Sequence, residues 1–153
     1  MRTHEQTLEL DCGKLAPTFA QRLMAAFAPL AAALAEGNGG SAPFDFKISL
    51  SQPASGGETI TWSLSGTGSH PADAADFGGV PSGGTVTFAA GQTSAIVSVQ
   101  VSGDMTVEFD ESFAVELSAP SLGLTLGTET AVATILNDDT PVVSITASGA
   151  MPR

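Results

Sequence analysis

The sequence predicts an all-β protein, an immunoglobulin-like antiparallel β-sandwich of about seven strands, behind a helical or poorly ordered N-terminal leader. Three observations carry this. From residue 43 onward, apolar side chains recur with period two in short runs, each with one polar face. Clusters of Gly, Ser, Pro and Thr separate the runs at intervals suited to tight connections. The chain has 153 residues, 42% of them apolar, which is enough for one domain with a real core and argues against a wholly disordered chain.

The leader covers residues 1–29. Within 15–35 the run LAPTFAQRLMAAFAPLAAALA is rich in Ala and Leu, which favour a helix, and Pro29 should break it. The run is similar to the apolar core of a signal peptide, and Ala33-Leu34-Ala35 to a cleavage site. More than twenty mixed-charge residues come first, however, which is too long a lead for such a segment. The sandwich itself covers 30–139, with a first strand supposed to end just before Glu36. Phe44, Phe46, Ile48 and Leu50 alternate with Asp45, Lys47 and Ser49. Ile60, Trp62 and Leu64 form the next strand, and Trp62 is expected between the sheets. Val86 with Phe88, then Val97, Val99 and Val101, then Phe113, Val115 and Leu117 continue the pattern. Residues 129–136 read as a sixth alternating run whose inward face is ambiguous. The connection 65–84 is long, and long loops are often functional. Residues 140–153 read as a linker and one more strand over 142–147. That strand is either the first of a following repeat or an extra edge of this sandwich.

Composition removes several functions. Sixteen acids face five bases, a formal charge of -11, the wrong sign for a phosphate backbone, so no nucleic-acid partner is expected. Cys12 is the only cysteine, so no internal disulfide and no Cys-based zinc site can form. No apolar run is long enough to cross a bilayer as a helix, and direct membrane insertion is not expected. His70 lies near Ser69 and Asp73 but lacks a nucleophile elbow, and no other nucleophile–base pair stands out, so the chain is not expected to be an enzyme. Gly37–Gly40 and Gly83-Gly84 lack the strand–loop–helix setting of nucleotide sites and read as turns.

The acidity is concentrated. Residues 36–139 hold thirteen acids and one base, Lys47. If the strands alternate in direction, the connections at one end contain Glu36, Asp73, Asp76, Asp104, Glu108, Asp110, Glu111, Asp138 and Asp139. The turns 51–57, 89–93 and 118–128 at the other end contain none. Two carboxylates about 6 Å apart repel by roughly 3 kcal/mol at an effective dielectric of about 20. With no Lys or Arg in these connections, the expected partner is a hard divalent cation. Zinc and copper would want His or Cys, and magnesium tolerates crowded protein ligands poorly. Calcium, with 6–8 flexible oxygen ligands, fits best. Val107 and Phe109 flank Glu108 and are expected to anchor its loop to the core.

Five segments in order now show a resemblance. They are Ala35-Glu36-Gly37-Asn38-Gly39-Gly40; Ala75-Asp76-Phe77; the run from Gly84 through Phe88 to Gly91; the run from Asp104 through Glu108 to Phe113; and Thr134-Ile135-Leu136-Asn137-Asp138-Asp139. Together they resemble the Calx-beta domain, the calcium-binding sandwich of sodium–calcium exchangers, integrin β4 and bacterial surface and secreted repeat proteins. The resemblance implies that Glu36, Asp76, Asp104, Glu108, Glu111, Asp138 and Asp139 are metal ligands. Asp73 and Asp110 are either ligands or charges behind them. It implies one or two Ca2+ ions, a non-catalytic module, and adjacent domains of a tandem array as partners. An adhesion or structural repeat that binds a protein or glycan is the alternative. The expected setting is extracellular or at the cell surface, with the cytoplasmic face of a membrane protein as the alternative.

Overall fold

Nine strands make up the computed structural model, which describes residues 23–79 and 83–145. They are β1 (Leu23–Pro29), β2 (Ala33–Ala35), β3 (Gly40–Leu50), β4 (Glu58–Thr67), β5 (Gly83–Phe88), β6 (Ser94–Gly103), β7 (Glu111–Ser118), β8 (Leu124–Leu126) and β9 (Thr130–Leu136). One sheet has the order β6-β3-β1-β8 and the other β2-β9-β7-β4-β5. The pairings are antiparallel except β1 with β8 and β2 with β9, which are parallel.

The period-two pattern fills the space between the sheets. Phe44, Phe46 and Ile48 of β3, Val97, Val99 and Val101 of β6, and Phe113, Val115 and Leu117 of β7 are all buried. On β9 the inward face is Ala131, Ala133 and Ile135, while Val132 faces out. Phe113 sits at the centre of an aromatic group. Its ring is edge-on to Phe44, Phe46 and Phe77, with centroids 5.4, 5.9 and 5.3 Å away. Edge-to-face pairs of this kind add to the burial of the rings themselves. Trp62 packs against this core but stays half-buried.

Three expectations need correction. First, residues 23–35 form strands and not a helix. β1 lies between β3 and β8, with Ala25 and Phe27 buried and Met24, Ala26 and Ala28 exposed. Two free strand edges beside it outweigh the helix preference of Ala and Leu. The leader boundary at 29 therefore cuts through the sandwich. Residues 1–22, including the first part of the predicted helix and Cys12, lie outside the described residues. Pro29 does mark a break: after it the chain crosses from one sheet to the other and resumes as β2. Second, β8 falls inside the segment read as a turn. Third, 142–145 form no strand and are exposed, while 146–147 lie outside the described residues.

The register fixes which residues share a pole. Ala35 faces Leu136, Gly40 faces Gly103, Thr67 faces Ser112, and Glu111 faces Ile135. The connections 36–39 and 104–110, the loop 68–79 and the exit at 137–139 therefore lie together.

Candidate metal centre

The acids at this pole come from strand ends and from the loops between them. Glu36 follows β2 directly, and its N–H donates to the Leu136 carbonyl at 3.3 Å, so it enters beside the end of β9. Asp76 sits in the 68–79 loop, where its Oδ2 accepts from the Asp73 N–H at 2.5 Å. The next residue, Phe77, plugs that loop onto Phe113. Asp104 opens the connection from β6 to β7 by accepting from the Thr106 N–H at 2.5 Å. That bond holds the exposed Asp104 carboxyl below the usual range. Glu108 lies on the same connection, and Glu111 is the first residue of β7. Asp138 and Asp139 follow β9.

These acids converge. Asp76, Glu108 and Glu111 each offer an oxygen, and the three lie within 4.8 Å of one another. Glu36 is only 5% exposed and Asp76 only 9%. Burial pushes the Glu36 carboxyl up to about 7, helped by the charges of Asp104, Glu108, Asp139 and Asp76. Burial also pushes Glu111 up to about 7, followed by a hydrogen bond to Asp76 and the charges of Asp76, Glu108 and Asp73. Glu108 is raised by burial and then by Asp104, Asp76, Asp73 and Asp139. Desolvation and like charge both disfavour the ionised form. Lys47, the only lysine or arginine among the described residues, pairs with Ala28 and Ile96 along the sheet, away from the cluster.

The opposite pole provides a contrast. There Glu58 accepts from the Ser55 and Gly56 N–H groups at 2.8 Å each, and these bonds lower its carboxyl. Main-chain amides satisfy that acid, whereas the clustered acids mainly face other acids.

The donor set fits a hard dication. Asp139 Oδ1 accepts from Asn38 Nδ2 at 2.6 Å, but its buried Oδ2 has no hydrogen-bond partner. An orphaned buried carboxylate oxygen is costly unless a cation or water meets it. Carboxylates from separate loops, with no histidine or thiol among them, are the ligands that oxygen-seeking cations take.

Not every predicted ligand joins the three-acid group. Asp138 Oδ1 accepts from the Gly37 N–H at 3.1 Å, and Asp110 Oδ1 from the Asn137 N–H at 3.1 Å. Asp73 Oδ1 accepts from the Ala75 N–H at 2.6 Å. All three help shape the loops, and Asp73 also adds to the repulsion on Glu108 and Glu111. Val107 and Phe109 do not anchor the loop in the core. They are 50% and 72% exposed, and Met105 is 76% exposed.

Two kinds of supporting residue were missed. Asn137 donates through Nδ2 to the Glu108 carbonyl at 3.0 Å and accepts at Oδ1 from the Asp139 N–H at 3.1 Å. Asn137 and Asn38 stand beside acids in the sequence, and a search by charge alone passes over them. Gly103 lies beneath the 36–37 backbone. A Cβ there would lie 2.1 Å from the Gly37 carbonyl oxygen and 2.5 Å from that of Glu36. No local pattern around Gly103 announces that crossing.

The family model of the Calx-beta domain matches residues 42–139. Among solved structures, the apo form of the Calx CBD1 domain aligns with a TM-score of 0.63 at 22% identity, covering 78% of this chain and 100% of that one. CBD12 from CALX1.2 aligns with a TM-score of 0.63 at 23% identity, covering 76% of this chain and 44% of that one. The calcium binding domain CBD12 of CALX1.1 gives 0.61 at 24% identity, covering 74% and 46%. The chain thus spans less than half the length of the CBD12 chains. At these identities the likeness establishes the fold. Comparison with curated proteins gave no match.

Proposed function

The chain belongs to the Calx-beta family, and from that premise we propose that it is a non-catalytic calcium-binding module, one repeat of a larger surface or secreted protein. The observation that carries the reading is the meeting of Asp76, Glu108 and Glu111 oxygens within 4.8 Å. Asp76, Glu108 and Glu111 would hold the ion, with Glu36, Asp104 and Asp139 beside them and Asp138 at the flank. This many carboxylates suits one or two ions. Bound calcium supplies the positive charge that offsets their repulsion.

The consequence is mechanical. Asp76 belongs to the 68–79 loop, Glu108 to 104–110, and Asp139 to the exit from β9. When these acids share one partner, three loops that otherwise repel are tied together. Asp139 is followed by Thr140-Pro141, so the tie lies where the chain leaves the sandwich and would set the angle to a following domain. The CBD12 structures support a tandem setting of this kind. High Ser, Thr and Gly with few lysines support placement outside the cell.

Calcium titration by calorimetry tests the reading. Saturable heat is expected for the wild type, and an affinity at least about tenfold weaker for Glu108→Gln and Asp76→Asn. Calcium at about 100 times Kd should stabilise by about 2.7 kcal/mol, which raises Tm by about 10 °C for a domain of this size. Identical melting with calcium and with chelator would count decisively against it.

A further inference from the structure

The connection that carries Glu108 has little to hold it. Met105, Val107 and Phe109 point outward and give it no root in the core. The Glu108 carboxylate is repelled by Asp104, Asp76, Asp73 and Asp139. On one flank Asn137 grips the Glu108 carbonyl and the Asp110 carboxylate. On the other flank the His70 ring stacks on Phe109, with centroids 4.5 Å apart and planes 14° from parallel. That stack is an attractive side-chain contact between this connection and the loop bearing Asp76, whose carboxylate repels Glu108.

His70 is suited to this task because its main chain is fixed. Its carbonyl accepts from the Ser112 N–H at 2.9 Å, Pro71 bridges to Ser112, and the Ala72 N–H donates to the Ser112 carbonyl at 3.0 Å. The ring therefore projects from a backbone registered on the start of β7, next to Glu111. Gly66 permits the tuck. A Cβ there would lie 2.1 Å from the Ala72 carbonyl oxygen.

We propose that His70 is a positioning residue for the metal centre: by stacking on Phe109 it holds Glu108 against the repulsion of its neighbours, in register with Asp76 and Glu111. The inference rests on the calcium reading above and adds a residue that touches none of the carboxylates. An imidazole that flanks acids usually suggests ligation or titration. Here the flat face of the ring is what matters, and any flat ring of similar size should serve.

The test is calcium calorimetry on the whole chain, with melting in chelator as a second readout. His70→Ala should bind calcium about 3- to 10-fold more weakly, the range an aromatic stack supports. His70→Phe should restore the wild-type affinity. Phe109→Ala removes a side chain outside the core and should match His70→Ala, and the double variant should be no weaker than either single one. In chelator all four should melt within about 2 °C of the wild type, because an exposed stack adds little to global stability. Wild-type affinity in both His70→Ala and Phe109→Ala, with calcium binding intact, overturns the inference and leaves the calcium reading standing. So does failure of His70→Phe to recover. A wild-type chain that gives no heat with calcium overturns both.

Discussion

Glu36 is placed where an isolated carboxylate would not settle. It is buried, it faces four other acids, and its carboxyl is held near 7. Glu36→Gln keeps the shape and removes the charge. In calcium-free buffer at pH 8 this variant should melt several degrees above the wild type, while its calcium affinity falls; thermal scans and titration check the two halves. A higher affinity in the variant would show that Glu36 faces the site without serving it. This trade arises because the side chain is arranged for a charge that the polypeptide does not provide. Position along the chain made the acids readable, since nine of them fall at strand ends of one polarity. It could not separate Asp76, Glu108 and Glu111, which meet, from Asp138 and Asp110, which accept main-chain amides. That distinction depends on side-chain direction in loops, where no period applies. Phe109 shows the same limit: its apolar character suggested a core anchor, yet it lies on the surface under His70.

At the scale of elements, β3, β4, β6 and β7 were legible because apolar residues recur at every second position along them. β1 was not. Ala25, Ala26 and Ala28 differ in burial but not in chemistry, so the alternation leaves no mark, and Ala and Leu favour a helix when no neighbour competes. β8 is three residues long within a turn-rich stretch and exists only because β1 pairs with it. The β2–β3 connection presents a different case. Its path is set by a close crossing over Gly103, and Gly37, Gly39 and Gly40 all adopt positive φ. Gly103→Ala should force the 36–37 backbone away and destabilise the fold by about 1–3 kcal/mol, comparable to overpacking elsewhere. Chemical denaturation in chelator measures this directly, and an unchanged midpoint would mean the crossing is loose.

For the molecule as a whole, the raised carboxyls predict an unusual pH profile. Unfolded, Glu36 and Glu111 release their protons near 4.5; folded and metal-free, they keep them to about 7. Between those values the folded state binds more protons than the unfolded one, so stability falls as pH rises. The metal-free chain should therefore melt higher at pH 5 than at pH 7.5, and saturating calcium should abolish or reverse that slope. The lowered Asp104 and Glu58 act in the opposite sense, but only at pH below their ordinary carboxylate values. A flat metal-free profile from pH 5 to 7.5 would contradict the clustering.

The path of the first strand has one further consequence. The described chain arrives at Leu23 beside Leu124, runs through β1 and β2, and departs after Leu136 at the far pole. Both outer segments, β1 against β8 and β2 against β9, run alongside partners pointing the same way. Tension applied between Leu23 and Leu136 would slide these ladders lengthwise and load their bonds together, instead of peeling them one at a time. A sandwich threaded in this way resists stretching along its own axis, and the carboxylate-lined pole lies directly on the line of force.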